Sequence, residues 1–344
     1  MIYLNNVYLI AFLFALGLSL ILTPLSRKLA ILLSIYDHPI SEVKTHKKST
    51  PYLGGIAIAV SFWGGLMLIR LLTNLPTGTL RSLRGIFIGS FIVFLLGLFD
   101  DVKRKGLKFQ SKFIIQAIPG ILLIVYGMRM KFIQPEWFAI LVTTVWIIGV
   151  TNAMNIIDIM DGLSSGIAVI AAVGFFFIGL PSEEEIYVNF ASIALAGACL
   201  GFLPYNLSKS YKIFMGDTGS LFIGFILAAI SLGTRYTDIN TLGLFAPILI
   251  LAIPIYDTFL VMYFRWKKGI NPFMGSKDHF ALRLEKKGLQ RKTILIYTYS
   301  AGVILSCISF IVTIVNIYSA AIIYLFTIFI ALFIAKLLSK IHVE

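Results

Sequence analysis

Long apolar runs separated by short polar segments make up most of this chain. A helix that crosses a bilayer takes roughly 20 residues, and the runs are too long and too numerous for the core of a soluble protein. Phe91–Phe99 and Ile322–Ile330 lack the alternation of apolar and polar residues that a transmembrane β-strand requires. The pattern therefore predicts an all-α, polytopic transmembrane protein with about 10 or 11 spans. The predicted spans are 7–26, 52–72, 82–99, 112–127, 136–151, 163–180, 187–204, 218–233, 241–264, 293–315 and 318–338.

The composition agrees with this assignment. Of the 344 residues, 58% are hydrophobic and 13% are charged, whereas soluble domains average about 25% charged residues. The sequence has no internal repeat and no low-complexity tract, and its polar loops are too short to fold separately. We therefore expect residues 1–344 to form a single integral membrane domain.

The basic residues predict the orientation. With the spans above, all but six of the 29 lysines and arginines fall on one side of the membrane. The six exceptions are Arg70, Arg81, Arg84, Arg129, Lys131 and Arg235. The positive-inside rule then places the N-terminus outside and the C-terminus in the cytoplasm. The same partition explains most of the net charge of +13 without any nucleic-acid partner.

Acidic residues gather at the predicted cytoplasmic edge of the spans. They are Asp100, Asp101, Asp158, Asp161 and Asp217. A charge beside hydrocarbon is costly unless it is paired, hydrated or bound to a metal. Two adjacent carboxylates, as in Asp100-Asp101, repel each other unless one is protonated or a cation neutralises them. These acids suggest a site for a divalent cation and an anionic substrate, although ordinary ion pairs at a membrane edge would also explain the first pair.

Two polar motifs extend this pattern. Thr151–Leu163 reads TNAMNIIDIMDGL and spaces four amide or acid side chains three residues apart, so that neighbouring members share a face if the segment is helical. Those side chains are Asn152, Asn155, Asp158 and Asp161. Amides bind bases and sugars, and carboxylates bind sugar hydroxyls, metals or lysines. A helix cap followed by Gly162 would account for Asp161 alone.

The second motif is Phe214–Ser220, FMGDTGS, at the start of another span. Asp217 offers hard oxygen ligands for a metal, and the backbone amides of the following helix would face a phosphate. The alternative is that Asp217 is an ordinary N-cap residue.

Three further segments carry candidate residues. The longest inner loop, around 265–292, is expected to be irregular with at most a short helix. Within it, KDHFALRL contains His279 and Arg283, and arginine grips a diphosphate bidentately. Lys47 lies in THKKSTPYLGG, which is also a plausible positive-inside anchor. Asp257 lies within the ninth predicted span, where an acid is a functional candidate or the partner of a lysine.

Together the motifs resemble those of a known family. HKKSTPYLGG, FDD, TNAMNIIDIMDGL, FMGDTGS and the inner His/Arg loop occur in the order seen in polyprenyl-phosphate N-acetylhexosamine-1-phosphate transferases, from about residue 44 to residue 288. The resemblance implies a Mg²⁺-dependent enzyme, with Mn²⁺ as an alternative metal. Such an enzyme moves a sugar-1-phosphate from a UDP-N-acetylhexosamine to a polyprenyl phosphate and releases UMP, the first membrane step of cell-envelope polysaccharide synthesis.

The resemblance also assigns residue roles. Asp217, together with Asn155, corresponds to the magnesium ligands, and Asp100 and Asp101 to the acid pair that handles the lipid phosphate. Lys112 corresponds to the lysine that contacts the substrate phosphates. The ring of Phe214 would stack on uracil. The substrate-binding positions implied are Lys47, Asn152, Asn155, Asp158, Asp161, Phe214, His279 and Arg283.

Two departures from the family pattern refine the expectation. Ala281 and Leu282 stand where related enzymes carry further histidines, and Ile159 stands where many relatives have glycine. The missing histidines favour the branch that uses simpler UDP-N-acetylhexosamines, UDP-GlcNAc in particular, over phospho-MurNAc-pentapeptide translocases. The implied location is the cytoplasmic face of the inner membrane, and a homodimer is left open. An ion-coupled transporter is the rival, but transporter sites lie near the midplane and within repeats.

Overall fold

The structure, a computed structural model, describes residues 2–38, 49–103, 106–181, 186–233, 236, 239–272, 276–341 and 343. The described part is built almost entirely from helices, which confirms the all-α prediction. The helices are α1 Ile2–Leu32, α2 Gly54–Leu72, α3 Thr77–Val102, α4 Phe109–Val125, α5 Glu136–Ile156, α6 Leu163–Gly179, α7 Ile186–Asn206, α8 Gly216–Ile230, α9 Ala246–Ile250, α10 Ala252–Lys267, α11 Phe280–Lys286, α12 Arg291–Ile314 and α13 Ile317–Ser339. Two short strands, β1 Tyr36–Asp37 and β2 Thr50–Pro51, pair antiparallel with Tyr36 opposite Pro51.

The apolar helices coincide with the predicted spans, and the chain is a multi-pass membrane protein. Within the described ranges, seven helices are long and apolar enough to cross a membrane, or eight if a bent pair counts as one span. The seven are α1, α2, α3, α5, α7, α12 and α13. Three predicted spans correspond to the shorter apolar helices α4, α6 and α8. The short inner helix anticipated in the basic loop is α11.

The ninth predicted span is not a single straight helix. Thr241–Ile250 and Ala252–Lys267 meet at Leu251 with a bend of 72°. Pro254 lies in the first turn of α10 and has no amide hydrogen to continue the ladder from α9. Hydropathy reports only that both halves are apolar, so it could not locate this break.

Helix α8 lies at the centre of the bundle. Every residue from Thr218 to Ile230 is buried, and the helix packs between α3 and α5. In contrast, α13 buries only Ala320 and Leu338. Both helices are apolar all round, which suits either a protein core or a lipid-facing span. Tertiary packing makes α8 a rigid support, and the polar residues at its N-terminal end take their positions from it.

Candidate active site

A cavity of about 440 Å³ lies at the N-terminal end of α8. Seven of the residues predicted to form the site line it, and they come from three separate parts of the chain. They are Asp100, Asp101, Asn155, Asp158, Asp161, Phe214 and Asp217. The fold thus gathers the predicted acids into one place.

Lys112 connects two of these acids. Its Nζ lies 2.8 Å from Asp100 Oδ2 and 2.5 Å from Asp217 Oδ2. Asp100 ends α3, Lys112 begins α4 and Asp217 begins α8, so three helix termini meet at one ammonium group. One lysine between two carboxylates leaves a net negative charge, which favours a further cation nearby.

Asp217 is also held on its other side. Asn155 donates from Nδ2 to Asp217 Oδ1 at 2.9 Å and to Ser220 Oγ at 2.8 Å. Asn155 is in the last turn of α5. The carboxylate of Asp217 is therefore fixed by one charged and one neutral donor, a preorganised arrangement for a group that must not move during a reaction.

Asp101 caps α8. Its carboxylate accepts from the backbone amides of Asp217 and Thr218, at 2.8 and 3.0 Å, and from Thr218 Oγ1 at 2.5 Å. The sequence suggested that these amides would face a phosphate, but a carboxylate of the protein already binds them. The first turn of a helix carries unpaired donors, so an anion there is stabilising.

Two glycines permit this close contact. Gly216 adopts a left-handed conformation with φ +70°, which favours glycine. A Cβ on Gly97 would lie 2.6 Å from the carbonyl oxygen of Asp217. The lack of a side chain at Gly97 lets α3 approach the backbone of α8.

The polar motif Thr151–Leu163 is helical only as far as Ile156, so the shared helix face considered from its spacing does not extend to Asp158 and Asp161. Helix α5 ends at Ile156, and Asp158 and Asp161 lie in an irregular turn that reaches Gly162, whose φ is +78°. Asn206 accepts from the Gly162 amide at 2.6 Å, and Tyr299 donates to the Gly162 carbonyl at 2.5 Å. Contacts from two distant helices fix the turn, and local spacing could not reveal them.

The two acids of this turn differ in their surroundings. Asp161 Oδ2 lies 2.6 Å from the ammonium of Lys212, and that ammonium lies 5.0 Å from the centre of the Phe214 ring. Asp158 is half-buried and has no hydrogen bond or ion pair with the residues that the structure describes. Burial, together with the charges of Asp217 and Asp161, raises the pKa of Asp158 to about 8. A cation in the cavity would therefore compete with a proton at this carboxyl.

Asn152 lies outside the cavity lining, unlike the rest of its motif. It donates from Nδ2 to Gln116 Oε1 at 2.5 Å and to the Ile148 carbonyl at 2.7 Å. It joins α5 to α4.

His279 and Arg283, predicted to bind substrate, are also absent from the lining. Asp257, the intramembrane acid, lies 2.7 Å from His279 Nδ1 and accepts from the Phe280 amide at 2.9 Å, so it anchors α11. Arg283 donates to Asp278 Oδ1 at 2.7 Å and to the Leu338 carbonyl at 3.1 Å. Lys47 lies outside the described residues.

Several cavity residues were not singled out from the sequence. Tyr52, Lys103, Lys212 and Arg291 all line the cavity. The local sequence indicated membrane orientation for all three basic residues and, for Lys103, also an ion pair with the adjacent acids. Lys212 stands two residues before Phe214, and that proximity to a motif was the one available clue.

The oxygen donors of the cavity suit a hard cation. Within the described part of the chain, no group of three or more His, Cys, Asp or Glu residues is arranged to hold a metal by itself. Magnesium at nucleotide sites is commonly bound by one or two carboxylates plus substrate phosphates. Asp217 and Asn155, on the cavity wall beside Asp158, offer such a partial set.

Comparisons with known proteins show which proteins this chain resembles. The family model for glycosyl transferase family 4 matches residues 83–235. A probable undecaprenyl-phosphate N-acetylglucosaminyl 1-phosphate transferase of Bacillus subtilis is 32% identical over 306 residues, covering 86% of this chain and 82% of that protein. A decaprenyl-phosphate N-acetylglucosaminephosphotransferase of Mycolicibacterium smegmatis is 30% identical, covering 79% of this chain and 74% of that protein. A phospho-N-acetylmuramoyl-pentapeptide-transferase of Prochlorococcus marinus is 30% identical, covering 87% of each chain.

Proposed function

Because the chain belongs to glycosyl transferase family 4, we propose that it transfers GlcNAc-1-phosphate from UDP-GlcNAc to a polyprenyl phosphate. UMP is the other product, and the reaction is the first membrane step of a cell-envelope polysaccharide. The names of the Bacillus and Mycolicibacterium relatives support this substrate pair. The observation that carries the proposal is the Asp100–Lys112–Asp217 cluster beside a cavity large enough for a sugar nucleotide.

The reaction is a phosphoryl transfer. An oxygen of the lipid phosphate attacks the phosphorus that bears the sugar, the bond from that phosphorus to the bridging oxygen breaks, and UMP leaves with that oxygen. A phosphate monoester has a second pKa of about 6, so it is largely ionised at neutral pH and needs no strong base. Asp100 then orients the lipid phosphate through Lys112 and need not deprotonate it. Catalysis of this kind rests on positioning and electrostatic stabilisation.

A divalent metal fits the oxygen donors of the cavity. Asp217 and Asn155 would hold Mg²⁺, or Mn²⁺ in its place, and Asp158 lies on the same wall. When bound, the ion supplies positive charge that neutralises the diphosphate. The Asn155 amide would reach the ion through its carbonyl oxygen after a flip, and the shared ion would then replace its hydrogen bond to Asp217.

The nucleotide is placed against the other side of the cavity. Phe214 would stack on uracil, and the Lys212 ammonium, 5.0 Å from the Phe214 ring centre, adds positive charge beside it. Asp161, paired with Lys212, would accept from a sugar or ribose hydroxyl. This site lies at the inner ends of the helices, on the cytoplasmic face of the inner membrane if the basic residues are oriented as the positive-inside rule expects. The sequence leaves the oligomeric state open, and the mass of the purified protein in detergent will decide between a monomer and a homodimer.

Release of UMP by the purified protein tests the proposal. With undecaprenyl phosphate and radiolabelled UDP-GlcNAc, we expect Mg²⁺-dependent UMP release that EDTA abolishes and that added Mg²⁺ restores. D217N should lower the rate by at least about 100-fold, because it removes the negative charge that would hold the metal ion and that pairs with Lys112 beside the reacting phosphates. E136Q is the matched control, since Glu136 is exposed and pairs with Arg129 away from the cavity. Activity of D217N comparable with that of E136Q would refute the role given to Asp217.

Two alternatives are separated by the same preparation. The Prochlorococcus relative favours UDP-MurNAc-pentapeptide as a second candidate substrate. Supplied at equal concentration, it should be consumed far more slowly than UDP-GlcNAc, and the opposite preference would reverse the assignment. Ion flux into proteoliposomes without UMP release would indicate a transporter.

A further inference from the structure

Arg291, the first residue of α12, lines the cavity although no motif pointed to it. Its side chain is partly exposed, at 37%. We propose that Arg291 binds the diphosphate of the sugar nucleotide and thereby sets the affinity for that substrate. This inference rests on the proposed function and adds to it a residue from outside the recognised motifs.

The contacts of Arg291 prepare it for this role. Its Nε donates to Glu285 Oε1 at 2.7 Å, and its Nη2 lies 3.4 Å from Glu285 Oε2. One edge of the guanidinium is thus held by a carboxylate. The other edge, formed by Nη1 and the remaining N–H of Nη2, makes no hydrogen bond to another residue that the structure describes. A planar guanidinium with one edge fixed presents its second pair of donors in a set direction, which matches two oxygens of a phosphate.

The packing of α12 indicates which phosphate this is. Tyr299, about two turns further along the same helix, donates to the Gly162 carbonyl at 2.5 Å. This bond fixes α12 to the turn that carries Asp158 and Asp161. Asp100 and Lys112, assigned to the lipid phosphate, come from α3 and α4, whereas α12 packs mainly on α6 and α9. Arg291 therefore belongs to the sugar-nucleotide side of the cavity.

Charge supports the same conclusion. The cavity lining holds six aspartates, Asp37, Asp100, Asp101, Asp158, Asp161 and Asp217, against Lys103, Lys212 and Arg291. Lys212 is paired with Asp161, inside the lining. The partner of Arg291, Glu285, is not among the lining residues. The positive charge of Arg291 is thus offset from outside the cavity, and its free edge remains available to a diphosphate.

Steady-state kinetics with both substrates tests the inference. We expect R291A to raise KM for UDP-GlcNAc about 10- to 100-fold, as for loss of hydrogen bonds between charged groups, with little change in KM for undecaprenyl phosphate. The KM of R291K for UDP-GlcNAc should lie between those of the wild type and R291A, because an ammonium keeps the charge but cannot reproduce two parallel donors. K292A is the matched control, since Lys292 is the next residue, carries the same charge and is exposed. It should behave as the wild type.

Glu285 provides a second, independent test. E285Q should raise KM for UDP-GlcNAc less than R291A does, and it should have no further effect once Arg291 is replaced, because it acts only through that side chain. A merely structural ion pair would instead lower the thermal midpoint of both single variants without changing KM. R291K keeps a positive charge beside Glu285, so its KM for UDP-GlcNAc tests the role of Arg291 if R291A does not fold.

The outcomes distinguish this inference from the proposed function. If the wild type releases UMP and R291A has the same KM for UDP-GlcNAc as K292A, Arg291 is not a diphosphate ligand. A selective rise in KM for the lipid would also overturn the inference. If the wild type releases no UMP, the proposed function fails, and calorimetric binding of UDP-GlcNAc to wild type and R291A then tests Arg291 alone. Equal affinities there would reject its role.

Discussion

Two neighbouring aspartates of the same motif make different contacts. Asp100 contacts the ammonium of Lys112, whereas Asp101 accepts three hydrogen bonds from the first turn of α8. The family resemblance gave both residues a role with the lipid phosphate. The contacts favour that role for Asp100 and indicate that Asp101 positions Asp217 by capping its helix.

Replacing each of the two acids separates these tasks. D101N should lower the thermal midpoint in detergent, because it leaves a backbone amide of α8 without an acceptor, at a cost of about 1–3 kcal/mol. D100N should leave the midpoint near that of the wild type and lower the rate of UMP release. Thermal unfolding and initial rates on the same preparations measure both. A stable D101N enzyme with a raised KM for the lipid would restore the role in lipid binding.

The raised pKa of Asp158 makes a prediction about pH. A carboxyl with a pKa of about 8 holds its proton at pH 6 and 7, so a cation that binds beside it must displace that proton. Apparent Mg²⁺ affinity should therefore rise as pH increases from 6 to 8, by at most about tenfold per pH unit for one proton. Mg²⁺ titrations of UMP release at three pH values will measure the slope. D158N should flatten it, and an equally steep slope in D158N would assign the proton to another group.

At the scale of elements, the site depends on how closely helices approach. Asp217 begins α8, and its position is set by α3, whose Gly97 faces the backbone of Asp217 and Thr218. A side chain there would push the two helices apart. Because the acids and Lys112 belong to different helices, a shift of one helix changes every distance in the cluster.

A pair of glycine variants tests this dependence. G97V should lower UMP release at least about 100-fold, since misplacement of reacting groups by roughly 1 Å has effects of that size. G149V is the matched control, because nothing lies within 4 Å of a Cβ added to Gly149 in α5. The rates should differ between the two variants while both remain folded by size-exclusion chromatography. Equal activity would mean that α3 and α8 tolerate separation.

The inner loop makes contacts that its residue types alone did not indicate. His279 and Arg283 suggested a phosphate grip, yet Asp257, Asp278 and the end of α13 bind them. Such contacts fix α11, which in turn carries Glu285, the partner of Arg291. The same loop thus connects to the cavity through a different arginine from the one that its motif indicated.

For the whole molecule, the open prediction is orientation. Alkaline phosphatase fused after residue 131 should be active and GFP fused there dark, because the positive-inside partition places this loop outside. After residue 212 the pattern should reverse, since Lys212 lies beside the cavity that must face cytoplasmic UDP-GlcNAc. Fusions with the opposite pattern would place the site on the outer face and would contradict the use of a cytoplasmic sugar nucleotide.

What the sequence determined by itself was local in origin. Hydropathy located the membrane helices because each apolar run is contiguous. Clustered acids at the ends of the spans indicated the site, because a charge beside lipid is costly and needs a partner or a function. Tertiary structure decided which polar residues share the cavity. The contact from Lys112 to Asp217 joins residues 105 positions apart, and that from Asp101 to Thr218 joins residues 117 apart. Such pairs depend on how α3, α4 and α8 pack, and the same packing brought in Arg291 and left out Asn152 and Arg283.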